Sequence, residues 1–449
     1  CLISIQKTGS QALLVYIYDE IESEATGEAG HWWLHNSLKK LEISLQKRFN
    51  LELIVVKGNA DETLQNLIKK YKINHVVWNR LYSKKSIDRD SLIKKNLKDK
   101  NIEVETFNSH LLNEPWEVQN NSGQYFKVFT PYWRRAFDVF KAKKYKINSI
   151  KSITPLFHKE KNEWSFLPSK NWYKKFLNYW EPGEEAALTK LKDYIANDID
   201  RYKEGRDRPD LDQTSKLSPH LRFGEISPRM IVDQVIKSKK HNISTLTFLS
   251  EIGWREFSYS LLYYSKDLSS KPINEKFIKF PWRKNEKDLK LWKQAKTGIP
   301  LIDAAMRQIY EKGWMHNRLR MVVGSFLVKN LLLNWTYGER YFQQTLLDYD
   351  EASNAAGWQW IAGCGADAAP YFRVFNPILQ SERFDPQANF ILKFLPELEC
   401  LKKPSLIFQP YLEQEIHKNL VEEGLYYQPI VDLKDSRNRA LEAYQRIKS

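Results

Sequence analysis

Between residues 348 and 377 the chain reads DYDEASNAAGWQWIAGCGADAAPYFRVFNP. Two indoles, Trp358 and Trp360, rise there from a run of small residues that holds one amide, Asn354. Small residues let a flat, bulky group approach the backbone closely. On a helix, positions two apart point to different sides. One ring can therefore face a bound group while the other lines a space open to solvent. An ordinary core helix with packing tryptophans satisfies the same residues, because aromatic side chains dominate core energetics.

Two Ser-Pro pairs, Ser218-Pro219 and Ser227-Pro228, lie in TSKLSPHLRFGEISPR. A hydroxyl before a proline suits the start of a helix, where it caps free N–H groups. Such a start also presents a positive dipole end to an anion, a phosphate above all. Thr214, Ser215 and Ser218 add hydroxyl donors, and capping alone is the competing reading. In FLSEIGWREFS, the residues Glu251, Trp254, Arg255 and Ser258 share one helical face by their i, i+3, i+4 and i+7 spacing. A carboxylate, an indole and a guanidinium on one face suit proton transfer, stacking and anion contact; a salt-bridged surface suits them too. GWMHNRLRM contributes Trp314, Asn317, Arg318 and Arg320. Its arginines are candidate phosphate contacts, or simply a solvated helix edge.

In this order and wording, TSKLSPHLRFGEISPR, FLSEIGWREFS, GWMHNRLRM, NAAGWQW and GADAAPYFRVFNP resemble the photolyase/cryptochrome family of flavoproteins. The likeness is nearest to the microbial class I branch, which repairs cyclobutane pyrimidine dimers in DNA with blue light. It runs from about Gly30 almost to the C-terminus and is strongest between Thr214 and Asp385. The resemblance implies FAD held by Tyr202, Thr214, Ser215, Lys216, Leu217, Ser218, Arg255, Arg320, Asp348, Tyr349, Asp350 and Asn354, with Asn354 at flavin N5. It implies damaged DNA met by Arg206, Glu251, Trp254, Ser258, Asn317, Arg318, Trp360 and Gln380. Glu251 and Asn354 would be catalytic, and Trp282, Trp335 and Trp358 would relay an electron between surface and flavin. The implied reaction is electron donation from light-excited, reduced FAD to a dimer flipped out of the duplex, a step for which photolyases are a standing example.

Three other readings stand beside it. A cryptochrome-type flavin photoreceptor without repair activity is the alternative. Asn at position 354, where plant cryptochromes use Asp, speaks against it, as does the short chain after YYQPIVDLKDSRNRALEAY. A basic helical DNA-binding module without cofactor is a third. A repair enzyme for six-four photoproducts fits less well, because GWMHNRLRM lacks that branch's histidine pair.

The elements that must hold these residues follow from composition and period. At 449 residues the chain has room for two domains. Lys+Arg 70 against Asp+Glu 55 gives +15, which suits a nucleic-acid partner or a merely lysine-rich soluble protein. Fifteen tryptophans are unusual and suit a redox or stacking role. Cys1, Cys364 and Cys400 have no metal-ligand spacing, so no metal and no disulfide framework are expected, and a reducing compartment is. No apolar run reaches membrane-spanning length and no signal peptide is visible, so a cytoplasmic monomer without membrane contact is expected.

QALLVYIY, LELIVVKG, INHVVWNR and IEVETF read as strands separated by helical patterns, predicting a parallel sheet. Residues 1–110 form an α/β antenna-type domain in this reading, 111–181 an irregular connector, and 182–449 an all-helical FAD- and DNA-binding domain. Family members open with a strand and an arginine-containing turn. None is found here, so a preceding segment is expected. The family's second pigment, a folate or deazaflavin, lies by the N-terminal domain beside WNRxYE-type segments. Here WNRLYSKKSIDRD puts Ser83 for the acid and Lys84, Lys85 and Ser86 for folate contacts, removing acceptors that a pterin needs. FAD without a tightly bound antenna is expected.

Overall fold

The computed structural model describes residues 1–143, 149–158, 163–265, 267–368 and 372–448. Residues 369–371, within the tryptophan-bearing motif, lie outside the described residues.

The apolar runs of the first part form strands β1 (Gln11–Ala12), β2 (Leu14–Tyr18), β3 (Leu53–Lys57), β4 (His75–Asn79), β5 (Glu103–Phe107) and β6 (Thr154–Pro155). All pairings are parallel: β2 with β3, β4 with β5, and β1 with β6. Parallel neighbours need a long crossover. Helix α1 (Glu28–Phe49) supplies it between β2 and β3, α2 (Ala60–Tyr71) leads on to β4, and α3 (Lys84–Lys98) joins β4 to β5. The expected parallel sheet is therefore present, divided into two-stranded ladders. A helix, Leu2–Thr8, precedes β1.

Helix α1 serves two cores. Its Leu34, Leu38 and Leu45 pack with Leu53 and Val55 of β3. Its Trp32 and Trp33 instead join Phe176, Trp180 and Trp314 of the helical part. Aromatic side chains withdraw roughly 150–250 Å² each from water, so these two indoles weld the α/β part to the rest. Trp33 also donates from Nε1 to Glu225 at 3.1 Å, where Glu225 accepts from the Gly183 amide at 2.8 Å.

The stretch read as an irregular connector contains a 14-residue helix, α4 (Phe129–Ala142). Its proline, Pro131, hid it from a reading by punctuation. That proline falls in the first turn, where a helix needs no N–H donors. Phe129, Tyr132 and Ala136 form the buried face.

The remainder is helical, as expected: α5 (Ser218–Arg222), α6 (Ile243–Tyr264), α7 (Glu286–Lys293), α8 (Pro300–Lys312), α9 (Asn317–Ser325), α10 (Trp335–Thr345), α11 (Glu351–Ala362) and α12 (Pro377–Phe384). Helix α6 is buried on most sides and packs Tyr259 and Leu262 against Ala352 and Ala355 of α11. On the other flank of α11 lies α10, where Gly338 meets the Trp358 ring; a Cβ there would sit 2.1 Å from the indole. Only glycine allows that approach. Among the described residues no helix is long and apolar enough to cross a membrane.

Candidate active site

Helix α11 carries the site's central face. Asp350 caps its start, accepting from the Ser353 amide at 2.9 Å. One turn in, the Asn354 amide donates from Nδ2 to the carbonyl and the Oε1 of Glu339, each at 3.2 Å. Tyr349 donates to the same Glu339 carboxylate at 3.0 Å. Burial pushes the Glu339 pKa up. With Nδ2 engaged, the Asn354 oxygen is the atom left for a ligand. Beside it the helix is uncovered: Ser353 is exposed, and a Cβ on Gly357 would meet nothing within 4 Å. A central helix with one open face, built from Ser, Asn and Gly, is a cradle for a flat group.

Two acid–base pairs flank this face. Arg320 holds Asp348 through Nη2 at 2.8 and 3.0 Å to the two carboxylate oxygens. Arg255, on α6, donates to the His110 carbonyl at 2.7 Å and to its Nε2 at 2.6 Å. The Tyr259 hydroxyl meets the same Nε2 at 2.5 Å and donates to Asp350. Burial, the largest influence on Asp350, opposes ionisation, but Arg255, the Tyr259 hydroxyl and Arg222 together hold its carboxyl below the ordinary value. Burial first, and then Arg255, push His110 well below the ordinary imidazole value. His110 is therefore a neutral linker. Arg222 donates from Nε to the Tyr349 carbonyl at 2.7 Å, fixing the turn into α11.

The second face is aromatic and charged. Trp254 is half-buried and stacks on Phe129 of α4, with ring centroids 3.8 Å apart and planes 7° from parallel. Glu251, one turn earlier, pairs with Arg206 at 2.5 Å. Burial raises the Glu251 pKa, with Arg206 opposing it. Arg318 pairs with Asp207 at 2.5 Å and lies over the Phe384 ring at 4.4 Å. Gln380 sits one turn before Phe384 on α12, its buried Oε1 without a partner, as is the Arg318 Nε. Asn317 is exposed at the start of α9. Trp360 is half-buried and donates from Nε1 to the Asp367 carbonyl at 3.0 Å. Ser258 stands apart: it is buried, and its hydroxyl returns to the Trp254 carbonyl at 2.9 Å.

The first Ser-Pro pair corrects one expectation. Ser218 does not cap α5, because Leu217 before it is already helical in its dihedrals and occupies the cap position. The exposed Ser218 hydroxyl instead accepts from Trp314 Nε1 at 3.3 Å. Ser227 does cap its helix, accepting from the Met230 amide at 3.1 Å. Thr214, Ser215 and Lys216 are half-buried, Lys216 with a left-handed φ of 50° and its ammonium on Asp212. Leu217 and Tyr202 are buried, Tyr202 under the Arg206 guanidinium at 5.7 Å. His220 is buried beneath this segment: Nδ1 meets Glu225 at 2.5 Å and Nε2 has no partner.

The tryptophans named for a relay are distributed as follows. Trp358 is buried, with Phe342 at 5.0 Å and Trp292 at 6.4 Å between ring centroids. Trp335 is buried at the start of α10, three residues before the glycine that touches Trp358. Trp282 is half-buried against Phe280 at 4.4 Å.

In the N-terminal part, Ser83 caps α3 by accepting from the Ser86 amide at 3.2 Å. The charges of Lys84 and Lys85 are met by Asp88 and Glu24. His75, Glu103 and Glu105 bring ligand-type atoms within 4.8 Å of one another at the β4–β5 ladder. Reading the sequence missed His110, Phe129, Asp207, Arg222, Tyr259 and Glu339 as site residues. Arg222 lies within the Ser-Pro motif and Tyr259 directly after FLSEIGWREFS, but neither has a spacing that marks it out, and His110 meets Arg255 across 145 positions.

Comparison with known proteins shows what this chain is similar to. The family model described as DNA photolyase matches residues 2–149, and that described as the FAD binding domain of DNA photolyase matches 248–446. A deoxyribodipyrimidine photo-lyase of Agrobacterium fabrum is 42% identical over 100% of this chain and 95% of its own length. The crystal structure of a bacterial class III photolyase from Agrobacterium tumefaciens superposes with a TM-score of 0.92 at 40% identity, covering 100% of this chain and 94% of that one. A Synechocystis cryptochrome structure superposes with a TM-score of 0.86 at 29% identity, covering 99% and 95%.

Proposed function

The chain belongs to the photolyase/cryptochrome family, and on that premise we propose that the open face of α11 and the aromatic wall of α6 form one site for FAD and a flipped-out pyrimidine dimer. The activity is that of a deoxyribodipyrimidine photo-lyase, blue-light repair of cyclobutane pyrimidine dimers in DNA. When bound and reduced, FAD supplies the photoexcited electron that opens the cyclobutane ring.

The residues present fit that cofactor. Gly357 and Ser353 leave room for a flat ring system on α11. The Asn354 oxygen offers an acceptor at its edge, and the Arg320–Asp348 and Arg255–Asp350 groups supply fixed charge nearby. The exposed Ser218 hydroxyl, with Thr214 and Ser215, suits the phosphates. The orphaned, buried Nε2 of His220 lies in the same segment.

The observation that carries the reading is the Trp254–Phe129 stack beside Glu251. Phe129 holds the indole plane so that its uncovered part can receive an extruded base. Glu251, kept protonated to higher pH than an ordinary carboxyl, can donate to a pyrimidine carbonyl. Arg206 and Arg318, pre-oriented by Glu251 and Asp207, can reach phosphates at the rim together with Asn317. Gln380 brings an unsatisfied amide oxygen to that rim. The protein is proposed to act as a cytoplasmic monomer.

The test is blue-light treatment of a thymine-dimer oligonucleotide with photoreduced holoprotein, read as dimer loss. Repair supports the reading. Tight FAD binding with no dimer loss would mean the cryptochrome-type photoreceptor instead.

A further inference from the structure

On the β4–β5 ladder, apart from the α6–α11 site, three metal-ligand side chains face one way. His75 stands directly opposite Glu103 in the parallel register, and Glu105 lies two residues further along β5. Side chains alternate between the two faces of a strand, so all three project from the same side. Taking one ligand atom from each, the imidazole nitrogen and the two carboxylate oxygens lie within 4.8 Å of one another. His75 Nε2 is 3.7 Å from Glu105 Oε2, too far for a hydrogen bond. That nitrogen is withdrawn from water and has no hydrogen-bond partner, an arrangement that costs free energy unless something binds there. Glu105 is itself anchored, since its Oε2 accepts from the Ser4 hydroxyl. Glu103 is exposed and free of packing that would stop it turning.

An ion pair alone leaves this group unbalanced. One imidazole offsets at most one negative charge, and two carboxylates side by side on a strand repel each other. A dication neutralises both and gives the orphaned nitrogen a bond. Zinc takes imidazole nitrogen at about 2.0–2.1 Å and carboxylate oxygen at about 2.0–2.2 Å, which sets tetrahedral ligand atoms about 3.3 Å apart. Closing from 4.8 Å to that spacing needs a movement of about 1.5 Å at most, which rotation of the exposed Glu103 side chain supplies. Calcium and magnesium prefer oxygen ligands throughout, so the imidazole selects a borderline ion instead.

We propose that His75, Glu103 and Glu105 bind one Zn²⁺ ion, which bridges β4 to β5, with water in the fourth position. The cysteine spacing, on which the expectation of no metal rested, gives no sign of such a site, because its ligands are one nitrogen and two oxygens. The ion joins neighbouring strands that the chain connects only through α3. The three ligands come together only when β4 and β5 are paired, so binding stabilises the folded ladder by mass action.

The experiment uses the untagged, FAD-loaded full chain, stripped with EDTA and dialysed against ZnCl₂, with bound zinc counted by mass spectrometry. The parent should retain one more Zn²⁺ per chain than His75→Ala, and excess Mg²⁺ should not displace it. Glu103→Gln, an exposed and nearly isosteric change, should weaken binding by about tenfold or more, and it keeps the test open if His75→Ala fails to fold. Zn²⁺ should raise the thermal midpoint of the parent and leave that of His75→Ala unmoved. FAD content and flavin photoreduction should be the same in parent and variants. No zinc retained by the parent, or equal retention by parent and variants, overturns the proposal. A midpoint that differs between parent and His75→Ala but responds to Zn²⁺ in neither also overturns it, because it leaves an ion pair and nothing more.

Discussion

Replacing Trp254 with Ala should separate recognition of damage from general affinity for DNA. The ring stacks on Phe129 at 3.8 Å with planes 7° apart, so its neighbour fixes it in the bound orientation before DNA arrives. Stacking against one base is worth roughly 1–3 kcal/mol. Phe129 remains after truncation and can recover part of it, so a loss of about 1–2 kcal/mol is expected, or about 5- to 30-fold. Truncating a fully buried tryptophan costs about 3–5 kcal/mol of stability. Trp254 is not fully buried, so a smaller loss is expected, within the 5–15 kcal/mol of a typical domain. Fluorescence anisotropy in the dark, at fixed salt, would compare a thymine-dimer duplex with its undamaged counterpart. The damaged duplex should lose affinity and the undamaged one should change little, because phosphate contacts dominate its binding. Trp254→Phe should recover most of the difference. Equal losses on both duplexes, with FAD content and helicity preserved, would refute the stacking role.

Three further expectations follow from other parts of the molecule. Arg206→Ala or Arg318→Ala should weaken binding to damaged and undamaged DNA alike, and should reduce the salt slope of log affinity by about one each; an unchanged slope would place that arginine off the phosphates. Trp358→Phe should abolish flavin photoreduction while dimer repair survives in chemically reduced enzyme. Full photoreduction in the Trp358 variant would remove that residue from the path. Lys329 is buried, donates to the Arg373 carbonyl, and has its pKa pushed down by burial, and then by Arg373, to about 7. Its contribution to stability is therefore complete above the unfolded lysine value of about 10.4 and is lost as pH falls toward 7. Thermal melts from pH 7 to 10 should show a rising stability contribution that Lys329→Met flattens; parallel curves for the two proteins would count against a neutral Lys329.

Much of the fold was legible because it depends on local period. Continuous apolar runs such as LELIVVKG became the parallel strand β3, and PLIDAAMRQIYE became α8. The i, i+3, i+4 and i+7 spacing of Glu251, Trp254, Arg255 and Ser258 was a correct statement about one helix, α6. It could not say that Ser258 would be buried with its hydroxyl on its own helix, because burial is set by what packs against that turn. Helix α4 was hidden by its proline, whose cost vanishes in a first turn. Ser218 was misjudged as a cap because capping depends on backbone dihedrals one residue earlier, which a Ser-Pro pair does not reveal.

The chemistry-bearing residue types were set by the sequence alone: the amide at 354, the two indoles after it, the carboxylates at 348 and 350, and the arginines at 255, 318 and 320. Their partners were decided only in three dimensions. Asp350 keeps its charge because Arg255, Arg222 and Tyr259 converge on it from other elements. Trp254 is a rigid wall because α4, from a stretch with no motif, delivers Phe129 to its back. Trp358 gains Trp292 as neighbour because Gly338 lets α10 close on the indole, while α7 lies on the other side of the same core. Spacing along a chain fixes which side chains share a face. Which face meets which is a matter of packing between segments, with volumes, close approaches and desolvated charges satisfied together, and no single stretch of sequence carries that information.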